Sequence, residues 1–159
     1  MPGTLPVCLA IPRRPIPARA TTGGGGPVVS ASMGAAASLR RRLDWADTDA
    51  AGYWHHSTFW KYAEAGEAEL MRGRGLTALT FGATPRKAVT AEFHRPIFFD
   101  DEVTITCAVE AVGRTSATYH VTLSVDDHVC AAGTLTVVLT DDEGRPRPWP
   151  DEAKDLLLT

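Results

Sequence analysis

The side chains that could do chemistry are concentrated at residues 44–60, DWADTDAAGYWHHSTFW. Asp47 and Asp49 stand two positions apart, an interval that on an extended chain points both side chains the same way unless the following Ala-Ala-Gly bend separates them. Two nearby carboxylates compete for ionisation, so one could act as a base or nucleophile while the other shapes the bend. The spacing therefore indicates acid–base or nucleophilic chemistry at this bend.

Two adjacent histidines, His55 and His56, come just before Ser57, which is a candidate N-cap of a helix. A helix N-terminus presents free backbone N–H groups and the positive end of the helix dipole, and both stabilise an oxyanion. The alternative interpretation is structural, because Asp and Gly are favoured in turns and paired histidines are often solvated. Composition and spacing leave both interpretations open.

One helix is predicted directly after the bend, ending at Gly73 or Gly75. Its apolar residues recur at helical intervals and are Phe59, Tyr62, Ala63, Gly66 and Leu70. A glycine inside a helix costs about 1 kcal/mol relative to alanine, a loss that the close approach of another backbone would offset at Gly66.

The rest of the chain has the composition of β-strands. A first strand is predicted from Ser38, and four more lie in KAVTAEFHRP, DEVTITCAVEAVG, TSATYHVTLSVDD and HVCAAGTLTVVLTDD. The short connections AVGRT and VDDH predict hairpins, so the last three strands should form an antiparallel meander. A short helix is expected after the Pro-rich tail. One long helix and about five strands predict an α+β domain over 38–159, preceded by a disordered Pro/Gly/Ala-rich extension over 1–37.

Charge and cysteine content exclude several classes of function. Six of the 16 basic residues precede Asp44, the first acidic residue. Residues 44–159 therefore contain ten basic and all 19 acidic residues and carry a formal charge of −9. Phosphate binding needs clustered Lys and Arg, so no nucleic-acid partner is expected. The three cysteines form no metal-site or disulfide pattern, and no apolar run could span a membrane. We expect a cytoplasmic protein without cofactor or bound metal.

The string DTDAAGYWHHSTFWKYAE resembles the opening motif of the hotdog-fold acyl-CoA thioesterases of the 4-hydroxybenzoyl-CoA thioesterase family, including its tol-pal-associated branch. In that family an aspartate ends a D-x-D, a glycine and then a His or aromatic follow, and a helix with an internal glutamate begins. These places are held here by Asp49, Gly52, His56 and Glu64. The strings AEFHRPIFFDDEVTI and DDEGRPRPWPDE continue the resemblance, which covers about 120 residues from Leu39 onward.

The resemblance implies a helix wrapped by a curved antiparallel sheet, a homodimer or homotetramer paired edge to edge, and thioester sites at the subunit interface. Asp49 would attack the thioester carbonyl or activate a water, and the two roles stay open. The backbone N–H of His56 would stabilise the oxyanion, and its imidazole could orient water or substrate. Glu64 is a candidate second acid, with an ordinary interface charge as the alternative.

Further residues are expected to bind the substrate. The chain departs from the family's usual residues at Tyr53, Trp54, His55 and Thr58, which implies an acyl pocket of its own shape. Gly52 belongs to the shared motif. Trp60 and Glu67 lie on the same helix flank as His56 and are candidate pocket-lining residues.

Basic residues near predicted strand ends could attract coenzyme A or acyl carrier protein, which are both acidic. Arg86 and Lys87 are candidate substrate-binding residues, and Arg95 and Arg114 could also contribute to this attraction. The alternative is that all four are scattered surface charges. The isolated histidines are interpreted as structural; they are His94, His120 and His128.

Three functions follow from this resemblance. The first is hydrolysis of an acyl thioester, carried by coenzyme A or acyl carrier protein, to a carboxylic acid and a thiol. The second keeps the pocket but adds an amine to, or otherwise processes, an unsaturated acyl group on a carrier protein. The third is a non-catalytic module that binds an acyl ligand and regulates a partner.

Overall fold

The computed structural model describes residues 34–159 as one five-stranded antiparallel sheet packed against a long helix. The elements are β1 (Ala36–Arg42), a 3-10 turn (Trp45–Asp47), α1 (Thr58–Gly73), α2 (Thr77–Thr80), β2 (Arg86–Phe93), β3 (Glu102–Val112), β4 (Ser116–Val125), β5 (His128–Val138) and α3 (Asp151–Leu158). The α+β class and the five strands are confirmed, and the terminal helix is present as α3. The single turn α2 was not predicted.

The predicted boundary of the domain lies close to the start of β1. Most of the expected extension, 1–33, lies outside the described residues. Gly34 donates its N–H to the carbonyl of Val109 and Ala35 donates to that of Leu157, so the chain is already tied to β3 and α3 before β1 begins. The first strand therefore starts at Ala36, two residues before the predicted Ser38.

The sheet has the strand order β1-β3-β4-β5-β2, with every neighbouring pair antiparallel. The predicted meander of β3, β4 and β5 is confirmed. Asp126 and Asp127 both have positive φ, 48° and 61°, which is the backbone of a type I′ hairpin turn between β4 and β5. Within residues 34–159 β2 pairs only with β5, so it forms one edge of the described sheet, and β1 forms the other.

The apolar face predicted for α1 is the buried one. Phe59, Tyr62, Ala63 and Leu70 are all 1% exposed or less. A β-carbon at Gly66 would lie 3.0 Å from Cβ of Cys107 and 3.1 Å from Cγ2 of Ile105. The glycine therefore lets the helix approach β3 closely, which explains why a poor helix former stands at its centre.

Phe59 packs over a second glycine, which belongs to β5. A β-carbon at Gly133 of β5 would meet the ring of Phe59 at 2.9 Å and the carbonyl oxygen of Thr90 at 2.0 Å. The ring of Phe59 also contacts Phe93 at the end of β2, with ring centroids 6.0 Å apart. The start of α1 is thus fixed against β5 and β2. No helix within residues 34–159 is long and apolar enough to cross a bilayer.

Candidate active site

The two aspartates of the bend have different environments. Asp47 closes the 3-10 turn, and its carboxylate is buried and accepts hydrogen bonds from Nζ of Lys61 at 2.8 and 3.2 Å. Asp49 is exposed. The bend therefore separates the side chains that an extended i, i+2 spacing would have aligned, and it gives Asp47 an ion-paired structural position while Asp49 stays open.

Asp49 is held at the corner of a tight loop. Its N–H donates to the carbonyl of Tyr53 at 2.8 Å, its carbonyl accepts from Gly52 at 3.0 Å, and Oδ1 accepts from the N–H of Ala51 at 2.8 Å. Gly52 has a φ of +79°, a left-handed conformation that costs other residues about 1–2 kcal/mol. These contacts orient one carboxylate oxygen into the loop and leave Oδ2 without a partner among the described residues.

The backbone at the start of α1 leaves one amide free. His55 donates its N–H to the carbonyl of Asp47 at 2.7 Å, Ser57 donates to Nδ1 of His55, and Thr58 donates to the carbonyl of His55. The N–H of His56 has no acceptor within residues 34–159. Ser57 stands at the N-cap position, but its hydroxyl bonds Nδ1 of His55 at 2.7 Å and does not cap the helix.

Asp49 and His56 open onto the same small cleft of about 400 Å³. Four of the predicted site residues line it: Asp49, Tyr53, Trp54 and His56. The other wall is formed by the last residue of β2, Phe93, and by the segment that follows it, His94, Arg95 and Pro96. The sequence predicted His94 to be structural and Arg95 to be a candidate for attracting the acidic carrier, but it predicted neither as a wall of the Asp49 cleft. Their position directly after a strand, in the string HRP, was the available signal.

Trp54 fixes the two walls of this cleft to each other. Its side chain is buried, its N–H donates to the carbonyl of Ile97 at 2.9 Å, and its ring stands edge-on to Phe93 at 5.5 Å. Tyr53 similarly contacts Phe98, with ring centroids 5.4 Å apart. The bulky Tyr-Trp pair therefore bridges the Asp49 loop to the segment that follows β2.

A second and larger cavity, of about 760 Å³, lies beside the C-terminal half of α1. It contains the predicted residues Glu64 and Arg86 together with Glu67. Nη2 of Arg86 lies 2.5 Å from Oε2 of Glu67 and 3.5 Å from Oε1 of Glu64. Burial of Arg86 opposes its charge, but the hydrogen bond and charge of Glu67, followed by Glu64, outweigh this and raise the pKa of Arg86.

The carboxylate of Glu67 also affects the groups beneath it. Burial, followed by the charge of Glu67, raises the pKa of the Cys107 thiol to about 12. The same two causes raise the pKa of Tyr119, whose buried hydroxyl has no hydrogen-bond partner among the described residues. Glu67, which lines the second cavity, thus also acts on two polar groups buried in the apolar core.

The remaining predicted site residues line neither cavity. Gly52 and His55 shape the loop and the helix start as described above. Thr58 is buried and donates its hydroxyl to the carbonyl of Asp47 at 3.1 Å, and Trp60 is half-buried against Phe59. Lys87 is exposed at the bulge that interrupts the pairing of β2 with β5.

Within one chain the structure does not bring Glu64 to Asp49, since the two line different cavities. Glu67 was expected to line the same pocket as His56, but it lines the larger cavity together with Glu64. Within residues 34–159, no group of three or more His, Cys, Asp or Glu side chains could hold a metal ion.

Comparison with known proteins agrees with this architecture. The model of the thioesterase superfamily matches residues 51–132. An inferred esterase of Aquifex aeolicus is 28% identical over 100 residues, which are 60% of this chain and 78% of that protein.

Solved structures share the fold. A predicted thioesterase from Bacillus stearothermophilus has a TM-score of 0.71 and 25% identity, covering 77% of this chain and 94% of its own. A Thermus thermophilus thioesterase complexed with coenzyme A and Zn has a TM-score of 0.70 and 22% identity, and the match covers 76% of this chain and 90% of that chain. Because the family match spans more than half of the chain and the described architecture agrees with these structures, this chain belongs to the thioesterase superfamily and is a hotdog-fold hydrolase.

Proposed function

We propose that this chain hydrolyses acyl-CoA thioesters with Asp49 as the reacting carboxylate and the N–H of His56 as the oxyanion donor. The observation that carries the proposal is that one cleft is lined both by an exposed carboxylate, Asp49, and by His56, the residue whose helix-start amide is unpaired among the described residues. Coenzyme A as the thiol carrier is supported by the ligand of the Thermus thermophilus thioesterase.

The chemistry needs little beyond these two groups. A thiolate is a good leaving group because an ordinary thiol has a pKa of about 8.5, so strong protonation of the leaving group is unnecessary. The carboxylate supplies either the attacking oxygen or the base that activates a water, and the amide stabilises the charge that develops on the carbonyl oxygen. The exposed side chain of His56 lines the same cleft, and in this proposal its imidazole orients the water or the substrate.

The test replaces Asp49 with asparagine. Asparagine keeps the acceptor oxygen that bonds the N–H of Ala51, so the loop should be preserved while the charge is lost. Thiol release from acyl-CoA should fall at least about 100-fold in kcat, a typical loss for a general base or nucleophile. Asp155→Asn, at an exposed position of α3, is the matched control and should retain normal turnover. Near-normal turnover in Asp49→Asn would remove this carboxylate from the mechanism.

We further propose that the chain forms a homodimer through the outer edge of β2. Both edges of the sheet carry exposed charges, Arg40 and Arg42 on β1 and Lys87 and Glu92 on β2. Only β2 also exposes large apolar side chains, Val89 at 45% and Phe93 at 48%. An isologous two-fold pairing of β2 with its copy would continue the sheet and cover both apolar side chains.

The other face of the sheet argues against a tetramer made by stacking two sheets. It is rich in threonine, and Thr118 bonds Thr136 while Thr90 bonds Thr134 across neighbouring strands. A polar face of this kind offers little apolar area for a second sheet.

Dimerisation is tested by Val89→Asp, which places a charge at the centre of the proposed interface. Light scattering should show a dimer for the unmodified chain and a monomer for the variant. Val129→Asp is the control, because Val129 of β5 is equally exposed, at 45%, but lies away from the β2 edge. A dimer that persists in Val89→Asp would contradict this interface.

A further inference from the structure

The larger cavity holds an ionic triad of Glu64, Glu67 and Arg86 with a net charge of −1. The side chain of Glu67 is only 9% exposed and that of Arg86 32%, so both lie in the wall of the cavity, whereas Glu64 is 63% exposed at its rim. Apolar surface from Met71, Phe81 and Pro85 surrounds them. The surface of the cavity is therefore mainly apolar, with the charged groups of Glu67 and Arg86 in its wall and that of Glu64 at its rim.

The triad has hydrogen-bonding capacity that the described chain does not use. Oε2 of Glu67 contacts Nη2 of Arg86, but Oε1 of Glu67 has no donor among residues 34–159. The Nε and Nη1 groups of Arg86 likewise contact no acceptor in that part of the chain. A nine-tenths buried carboxylate with a spare oxygen is an acceptor prepared for a donor from outside the chain.

The position of the cavity connects it to the reacting carboxylate of a second subunit. Thr84, Pro85 and Arg86, at the start of β2, line the larger cavity, and Phe93 to Pro96, at its end, line the Asp49 cleft. Within one chain the ends of this eight-residue strand are roughly 23 Å apart. Two-fold antiparallel pairing about the middle of β2 places Arg86 opposite the partner subunit's Phe93, so each larger cavity adjoins the other subunit's cleft.

We propose that the triad is the acyl-recognition site of the partner's Asp49 cleft and selects acyl groups whose distal end carries a hydrogen-bond donor, a hydroxyl or a protonated amine. This inference rests on the proposed thioester site and on the β2 dimer. The donor binds Oε1 of Glu67. A hydroxyl also accepts from Arg86, and a protonated amine also meets the net negative charge.

The same geometry disfavours two other classes of acyl group. A hydrocarbon end leaves the oxygen of Glu67 without a partner once water is displaced, and a site built for hydrogen bonding discriminates strongly against an analogue that lacks the group. A carboxylate end meets a triad whose net charge has the same sign, and the second arginine of the cavity, Arg72, is already paired with Glu69. The expected order of affinity is hydroxyl or amine first, then methyl, and carboxylate last.

The first experiment measures binding, so that it does not depend on turnover. Ketone analogues of acyl-CoA, in which a methylene separates the sulfur from the carbonyl, cannot be hydrolysed. Analogues of four, six and eight carbons ending in methyl, hydroxyl, ammonium or carboxylate are titrated by calorimetry. At one length or more, the hydroxyl or ammonium compound should bind at least tenfold more tightly than the methyl compound. A smaller ratio at every length, or tightest binding of the carboxylate, overturns the inference even if thioesters are hydrolysed.

Variants assign the selectivity to the triad. Glu67→Gln should reduce the tenfold ratio to less than threefold. The control Glu152→Gln, which removes an exposed carboxylate of α3 outside both cavities, should keep it. Because Glu67 is buried, circular dichroism checks that its variant is folded. Glu64→Gln, at the exposed rim, provides the second variant and should lower the preference for ammonium. Unchanged ratios in both triad variants overturn the assignment.

Mixed dimers test whether the triad serves the other subunit. Chains with different affinity tags, one carrying Asp49→Asn and one carrying Glu67→Gln, are co-expressed and the mixed dimer is purified. A site that spans two subunits leaves one complete site per dimer, which should show unmodified selectivity and half the unmodified kcat. A site within one chain leaves no complete site, and the selectivity of Glu67→Gln alone would overturn the inference. If the unmodified chain hydrolyses no thioester, the proposed function fails, and the calorimetric result still decides the acyl preference.

Discussion

Replacing either aspartate of the bend by asparagine should affect a different property, stability for Asp47 and turnover for Asp49. Asp47→Asn is expected to lower the free energy of unfolding while the proposed reacting carboxylate, Asp49, stays in place. The buried carboxylate of Asp47 makes two contacts with Nζ of Lys61, at 2.8 and 3.2 Å. A hydrogen bond between charged groups contributes about 1.5–3 kcal/mol, and the 63% exposure of Lys61 reduces this to about 1–2 kcal/mol.

This loss should be visible as a shift in melting temperature. For a domain of this size 1 kcal/mol corresponds to about 3–5 °C, so Asp47→Asn should melt about 3–10 °C lower. Scanning calorimetry at one fixed protein concentration measures the shift, since the stability of a dimer depends on concentration. Lys61→Met, made in the unmodified chain and in Asp47→Asn, completes a double-mutant cycle. The cycle gives the coupling free energy between the side chains of Asp47 and Lys61, with an expected value of about 1–2 kcal/mol.

Asp49→Asn provides the comparison. Its loop hydrogen bonds are retained, so its melting temperature should stay within about 2 °C of the unmodified chain while kcat falls at least about 100-fold. The reasoning is refuted if Asp47→Asn melts normally and loses activity at least as much as Asp49→Asn. That result would make the buried aspartate the reacting group and the exposed one a turn residue.

Three further outcomes are expected. Arg95→Ala should raise KM at least threefold for acyl-CoA but not for a short thioester without the nucleotide, because Arg95 lines the Asp49 cleft and can meet CoA phosphates. In a Cys8→Ser background a thiol reagent should label Cys107 and Cys130 only after denaturation, since burial raises the pKa of both thiols. Burial, then the charge of Asp47, raises the pKa of Tyr62 to about 12, so the unfolded chain ionises first and stability should fall between about pH 10 and 12 in denaturant titrations.

Local patterns account for most of the fold that the sequence predicts. The buried face of α1 follows from apolar spacing of about 3.6 residues, and the meander follows from hairpin connections too short for any other pairing. Gly66 was interpretable in advance because a glycine in a helix needs a compensating contact, and Ile105 and Cys107 provide it. These features depend on residues close in sequence, or on one helix meeting one sheet.

The candidate site was less predictable because its parts are distant in sequence. The Asp49 loop could be predicted from residues that are adjacent in sequence. The wall that faces it, His94 and Arg95, belongs to the segment after β2 and was not predicted. The pairing of Glu67 with Arg86 depends on the register of an edge strand that contains a bulge, which periodicity does not reveal. The division of the predicted residues between two cavities is likewise a consequence of tertiary packing.

The backbone of Asp47 helps to determine which amide at the start of α1 is left unpaired. Each of the first amides of a helix lacks an intrahelical acceptor and must find one elsewhere. The carbonyl of Asp47 accepts from both the N–H of His55 and the hydroxyl of Thr58, and the ring of His55 accepts from Ser57. The amide of His56 is the one these acceptors do not reach, and His56 lines the cleft of Asp49. In the proposed mechanism Asp47 thus positions the oxyanion donor. A variant that shifts the backbone of Asp47 should therefore weaken catalysis through geometry while the charge of Asp49 is unchanged.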